Sequence, residues 1–269
     1  MRVVLIFLFS FSLLLQAKHS SKKEWNYIFN KLDLWTLPIS GTMAYLGHLN
    51  YYTRKDYTAQ EIISTQNAKT LQFYFNNRPL ADFARFYTYG LGGAAMVAAG
   101  PLVNWNTKKL GTIGIMYTQL LLMERGLYGI VSNVTRVPRP FVYDPTVSLE
   151  YKQERGKDAF MSFYSSRASF AFANAFFWHD MIKHSDWNTK WRIYGTAFLY
   201  GSASAISLME VFSGEHYIQD VILGAAAGST LAYAILKLHD IYDMEPYIDL
   251  PEEVNIVPTG NGIYLSYNF

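Results

Sequence analysis

The segment Gly214-Glu215-His216-Tyr217-Ile218-Gln219-Asp220 places an imidazole and a carboxylate four residues apart, which on a helix puts them on one face. A carboxylate that holds one imidazole nitrogen fixes the tautomer and leaves the other nitrogen basic, able to act as a nucleophile or general base. The same spacing also suits a polar helix start or a pair of metal ligands. His216 and Asp220 are therefore candidate catalytic residues whose meaning depends on their surroundings.

Two further clusters could hold an anion. Val134-Thr135-Arg136-Val137-Pro138-Arg139-Pro140-Phe141 sets two arginines three residues apart and pins them with prolines. Guanidinium is a rigid fork of donors suited to phosphate oxygens, and the prolines reduce the entropy of holding it in place. A basic loop flanking a membrane gives the same pattern. In Ser162-Phe163-Tyr164-Ser165-Ser166-Arg167-Ala168-Ser169-Phe170-Ala171-Phe172, small hydroxyl residues and one arginine open an apolar run. Free N–H groups at such a helix start favour an anion such as phosphate. The simpler alternative is a serine N-cap beside a solvated charge.

In this order and at this spacing, the three clusters resemble the type 2 phosphatidic acid phosphatase (PAP2) and vanadium haloperoxidase superfamily, whose pattern is KxxxxxxRP, then PSGH, then SRxxxxxHxxxD. Arg139-Pro140 matches the end of the first motif, Tyr164-Ser165-Ser166-Arg167 stands where PSGH belongs, and His216 with Asp220 matches the third. The resemblance covers about residues 86 to 240. It implies an all-α bundle, usually in a membrane, that hydrolyses phosphate monoesters or pyrophosphates with neither metal nor cofactor. His216 would attack phosphorus and Asp220 would orient it. Arg139, Ser165 and the residue at position 166 would hold phosphoryl oxygens, where charge must be stabilised.

The departures are as informative as the matches. Arg167 occupies the general-acid position, and a guanidinium cannot deliver a proton near neutral pH. Ser132 stands where lysine is expected, Ser166 replaces glycine, and Met209-Glu210 replace Ser-Arg. Loss of a general acid alone lowers rates by about 10²- to 10⁴-fold. The expectation is a degenerate site, inactive or strongly impaired, in a protein with a lipid-phosphate binding or structural role. Its competitor is a working phosphatase acting through a phosphohistidine on a phospholipid, lipid A or a polyprenyl phosphate. In that case Arg167 binds phosphate and Arg136 turns inward to replace the missing lysine. A vanadate-dependent haloperoxidase is disfavoured, because its anion site needs the same missing cations.

The elements that must position these residues follow from composition. The chain has 269 residues, 51% hydrophobic, with no cysteine and a formal net charge of +2. That excludes a disulfide framework or thiolate chemistry and leaves no electrostatic footprint for nucleic acid. Residues 1–17 read as a signal peptide or anchor, and 18–83 as an exported region of mixed character. Residues 84–240 form the PAP2-like helical domain, with apolar segments at about 86–103, 111–132, 163–182, 193–213 and 217–238 that approach the length of a bilayer span. Glu124, Asp180 and Glu210 interrupt three of them, so a soluble bundle of buried helices is the alternative. Trp35 to Leu49, broken by Pro38 and Gly41, is not read as a span.

Five spans would place residues 133–161 outside and Lys108, Lys109, Lys183, Lys190 and Arg192 inside. This corresponds to a bacterial inner-membrane protein with its pocket facing the periplasm, the alternative being a soluble periplasmic one. Residues 241–269 form a tail in which Val254–Val257 and Ile263–Phe269 read as a β-hairpin around Gly260 and Gly262. The sharpest expectation concerns Arg167 and Glu210. If they have become an ion pair that fills the phosphate site, their charged groups lie within about 6 Å of each other; a wider separation removes the idea.

Overall fold

The structure, a computed structural model, describes residue 27 and residues 31–68, 77–239, 254–259 and 262–267. The signal or anchor at 1–17 and most of the stretch leading to the tail lie outside these residues. Helices α1 (Asp33–Tyr52), α2 (Ala59–Ala68), α3 (Arg78–Leu102) and α4 (Thr107–Thr135) come first. The segment after α4 carries a 3₁₀ turn at Pro140–Tyr143, the short helix α5 (Leu149–Glu154) and a second 3₁₀ turn at Gly156–Phe160. Helices α6 (Ser166–Lys183), α7 (Thr189–Phe212) and α8 (Ile218–His239) complete the bundle. Strands β1 (Val254–Thr259) and β2 (Gly262–Tyr267) then pair antiparallel, from Val254 opposite Tyr267 to Thr259 opposite Gly262.

The helix starts follow from local chemistry. Asn106, Ser165 and Asn188 are N-caps whose side chains accept from the backbone N–H of Lys109, Ala168 and Trp191. Helix α6 has buried residues on every side, among them Phe172, Phe177, Trp178 and Met181, as expected of a central helix. It packs against α3, α4, α7 and α8. Trp35 to Leu49 lies within one continuous helix despite Pro38 and Gly41. That helix docks on α4 where neither partner has a side chain to keep them apart, since a Cβ on Gly126 would sit 2.5 Å from the Met43 backbone.

Helix α8 approaches α6 in the same way. A Cβ on Gly224 would lie 2.5 Å from the Ser165 carbonyl oxygen, and one on Gly228 only 1.9 Å from that of Ser169. This contact locks the start of α6 to the start of α8, the two places where the sequence puts candidate site residues. The segment 136–161 and α2 form a second small core around Ile62, Phe141, Val142 and Phe160, capping one end of the bundle.

One described helix, α8, is long and apolar enough to cross a bilayer. Large apolar side chains nevertheless cover much of the outside: Trp35, Phe86, Tyr89 and Val97 are each at least 70% exposed, and Trp191, Tyr194, Phe198 and Tyr233 are more than half exposed. An apolar exterior on this scale marks a surface that meets something other than water.

Because the α6–α8 contact leaves no room for even one methyl group, Gly228→Ala should push the helices apart. The expected loss is about 1–3 kcal/mol of stability, read as a lower thermal midpoint of the detergent-solubilised protein. Gly41→Ala, where a Cβ would meet nothing within 4 Å, should leave the midpoint unchanged or raise it.

Candidate functional site

The capping segment, the start of α6, the end of α7 and the turn before α8 converge on His216, which is 2% exposed. The proline-pinned turn presents Arg139, whose backbone N–H donates to Ala159 O at 2.8 Å and whose Nε donates to Asp158 O at 2.7 Å. Its Nη1 then reaches Glu215 Oε2 at 2.8 Å and His216 Nε2 at 3.0 Å. His216 Nδ1 lies 2.7 Å from the carbonyl oxygen of Ser162. A carbonyl only accepts, so Nδ1 carries the proton and Nε2 accepts from Arg139. The nitrogen that would attack phosphorus is unprotonated, but its lone pair is engaged.

Asp220 does not hold the imidazole directly. Its Oδ2 lies 3.9 Å from His216 Nδ1, too far for a hydrogen bond, and accepts instead from Ser162 Oγ at 2.5 Å and Tyr217 N at 3.2 Å. Ser162 therefore relays the constraint: its hydroxyl binds Asp220 while its carbonyl fixes the tautomer of His216. This corrects the expectation of direct contact.

Arg167 Nη1 donates to both oxygens of Glu210, at 2.7 and 2.6 Å, well inside the separation the ion-pair idea requires. Glu210 is fully buried, and its Oε2 lies 3.5 Å from His216 Nε2. On the other side, Glu215 binds the guanidinium of Arg155 with both oxygens, each at 2.7 Å, while also holding Arg139. Three guanidinium groups and two carboxylates thus close around the imidazole.

Burial by itself would raise the Glu215 pKa, but Arg139 and Arg155 outweigh it and hold the carboxyl well below the usual range. Burial would likewise lower Arg155, and its bonds to Glu215 overcome that and push it up. His216 is shifted downward, first by burial and then by the adjacent Arg139 charge.

The other expected residues fall differently. Ser165 is buried, caps α6 through Ala168 N and donates its own N–H to Asp220 O at 3.0 Å. Ser166 is the half-buried first residue of α6. Arg136 is not in the site: it is exposed, ends α4 in a left-handed conformation with φ 49° and bonds Asn133 O through Nε. Ser132, at the lysine position, is fully buried. Glu215, Arg155 and Ser162 were missed: Glu215 sits beside His216 in sequence, but its partners Arg155 and Arg139 are 60 and 76 residues away. Among the described residues there is no group of three or more histidine, aspartate or glutamate side chains that could hold a metal.

The family model of the PAP2 superfamily matches residues 112–242, the stretch that carries most of α4, all of α5 to α8 and every residue of this cluster. Residues 112–242 belong to the PAP2 superfamily. The match supports a phosphatase-like family that acts on lipid phosphates in general. No curated protein and no solved structure matches the chain.

Two outcomes follow from the PAP2 site's electrostatics. Removing one partner of a buried pair strands the other, so Glu215→Gln should destabilise the fold by about 3–5 kcal/mol, measured by denaturant unfolding. For His216 the folded pKa is depressed, so its stabilising contribution is present above the unfolded value of about 6.5 and is lost as pH falls below it. The thermal midpoint should therefore drop between pH 7 and 5, with a shallower slope in His216→Gln.

Proposed function

We propose that this protein is a polytopic membrane member of the PAP2 superfamily that no longer hydrolyses phosphate esters and acts in a lipid-phosphate binding or structural role. The observation that carries this reading is the Glu210 carboxylate, bound to Arg167 and 3.5 Å from His216 Nε2. A phosphoryl group attacked by His216 needs that space and those cations. Here the acidic side chains Glu210 and Glu215 supply the oxygens that a phosphate would bring, and no group at position 167 can protonate a leaving oxygen.

The membrane placement rests on α8 and on the exposed apolar faces of α1, α3 and α7. Charged groups that would be costly in lipid are instead gathered inside the bundle. In this reading the His216 end faces outward, the periplasmic side of an inner membrane, with Lys108, Lys109, Lys183, Lys190 and Arg192 inside against five lysines and arginines in the outer segment 133–161, and phospholipid, lipid A or polyprenyl phosphate is the lipid class within reach.

A hydrolase with altered chemistry is the competing reading, and it rests on the unprotonated Nε2 of His216. Phosphate release from phosphatidate and from a polyprenyl pyrophosphate separates the two. The detergent-solubilised wild type should release no more phosphate than His216→Ala. Release that disappears in His216→Ala would establish a living phosphatase. After a carbonate wash the protein should stay in the membrane fraction; recovery in the supernatant would sink the integral placement.

A further inference from the structure

At the opposite end of α6, roughly 24 Å from Arg167 by helix rise, a small open cleft lies between α6 and α7. Its polar lining is Lys183, Arg192, His179, Thr189 and Thr196. Arg192 is the unusual member: its Nε and Nη1 are shielded from solvent and have no hydrogen-bond partner among the described residues. A guanidinium whose donors are desolvated and unmatched is unfavourable unless an anion completes it. Nearby acidic groups are committed elsewhere. Asp180 accepts from Tyr27 and lies 3.5 Å from His184, and Asp186 accepts from Asn104 at 2.8 Å. Thr196 is buried and pairs its hydroxyl with His179 Nδ1 at 3.0 Å, which stiffens the back of the cleft.

From this cluster we infer that the α6–α7 cleft is a binding site for a phosphate-bearing anion, held by Arg192 and Lys183 with the Thr189 hydroxyl as a further donor. Arginine suits phosphate because its fork can bond two oxygens at once, and lysine adds a mobile point charge. The same helix turn exposes Trp191 at 59%, Tyr194 at 53% and Ile193 at 39%. Aromatic side chains of this kind settle at the headgroup level of a bilayer. An anionic phospholipid would therefore place its phosphate in the cleft and its chains along α7, whereas free phosphate would use the cations alone. The site is separate from the His216 cluster and stands whether or not that cluster hydrolyses anything.

The test is calorimetric titration of the full chain in detergent with three probes: short-chain phosphatidylglycerol, short-chain phosphatidylcholine and inorganic phosphate. Charge-assisted hydrogen bonds of this kind correspond to roughly ten- to hundredfold in affinity, so Arg192→Gln and Lys183→Gln should each weaken binding by at least about tenfold. Lys190→Gln should not, since Lys190 lies against the Tyr194 ring, 5.8 Å from its centroid. Thermal midpoints of all variants report folding. Saturable binding of phosphatidylglycerol alone identifies the lipid headgroup as the source, and equal binding of inorganic phosphate identifies the free ion. Failure of the wild type to bind any probe, or unchanged affinity in both folded glutamine variants, overturns the inference.

Discussion

Two buried glutamates set the terms for the capped end of this molecule. Arg139, Arg155 and Arg167 converge on one dry volume, and three guanidinium charges cannot share it without anions. In an enzyme of this shape the anion is a transient substrate. Here Glu215 closes on Arg139 and Arg155, and Glu210 closes on Arg167, so two carboxylates of the chain itself meet the three guanidinium groups. The imidazole between them is neutral and hydrogen-bonded on both nitrogens. These ion pairs join the capping segment to the ends of α6, α7 and α8.

The rest of the architecture supports that join. Glycines at 224 and 228 let α8 touch the backbone of α6, which aligns Ser165 N with Asp220 O and leaves Ser162 free to link Asp220 to His216. The segment 136–161 has its own small core and so delivers Arg139 and Arg155 on a firm base. Outside, aromatic and aliphatic side chains such as Trp35, Phe86 and Tyr89 face away from the bundle, while Arg139, Glu210 and Glu215 are buried within it.

Much of this was legible in the sequence, and what was not has physical reasons. The five apolar segments predicted at about 86–103, 111–132, 163–182, 193–213 and 217–238 overlap α3, α4, α6, α7 and α8, because each is long and bounded by polar turns. The Arg167–Glu210 pair was readable because both residues break a motif at positions that must meet in space. Glu215 was not, since its partners are 60 and 76 residues away and nothing local distinguishes a buried bidentate glutamate from a solvated one. The role of Ser162 depends on its carbonyl as well as its side chain, and a backbone acceptor leaves no trace in residue identity. Arg136 looked equivalent to Arg139, yet the left-handed end of α4 turns it outward. Pro38 and Gly41 suggested a broken segment, but the close approach of α1 to α4 carries the helix through both.

If Glu210 and Glu215 occupy the place of a phosphoryl group, a crystal structure of the protein prepared with orthovanadate will show it. Vanadate takes the geometry of a phosphoryl group under attack and would seek an open site beside His216 Nε2. The expected result is no anion there and Glu210 still bound to Arg167. Vanadate bonded to His216 Nε2, with Glu210 or Glu215 displaced from its arginines, would contradict it.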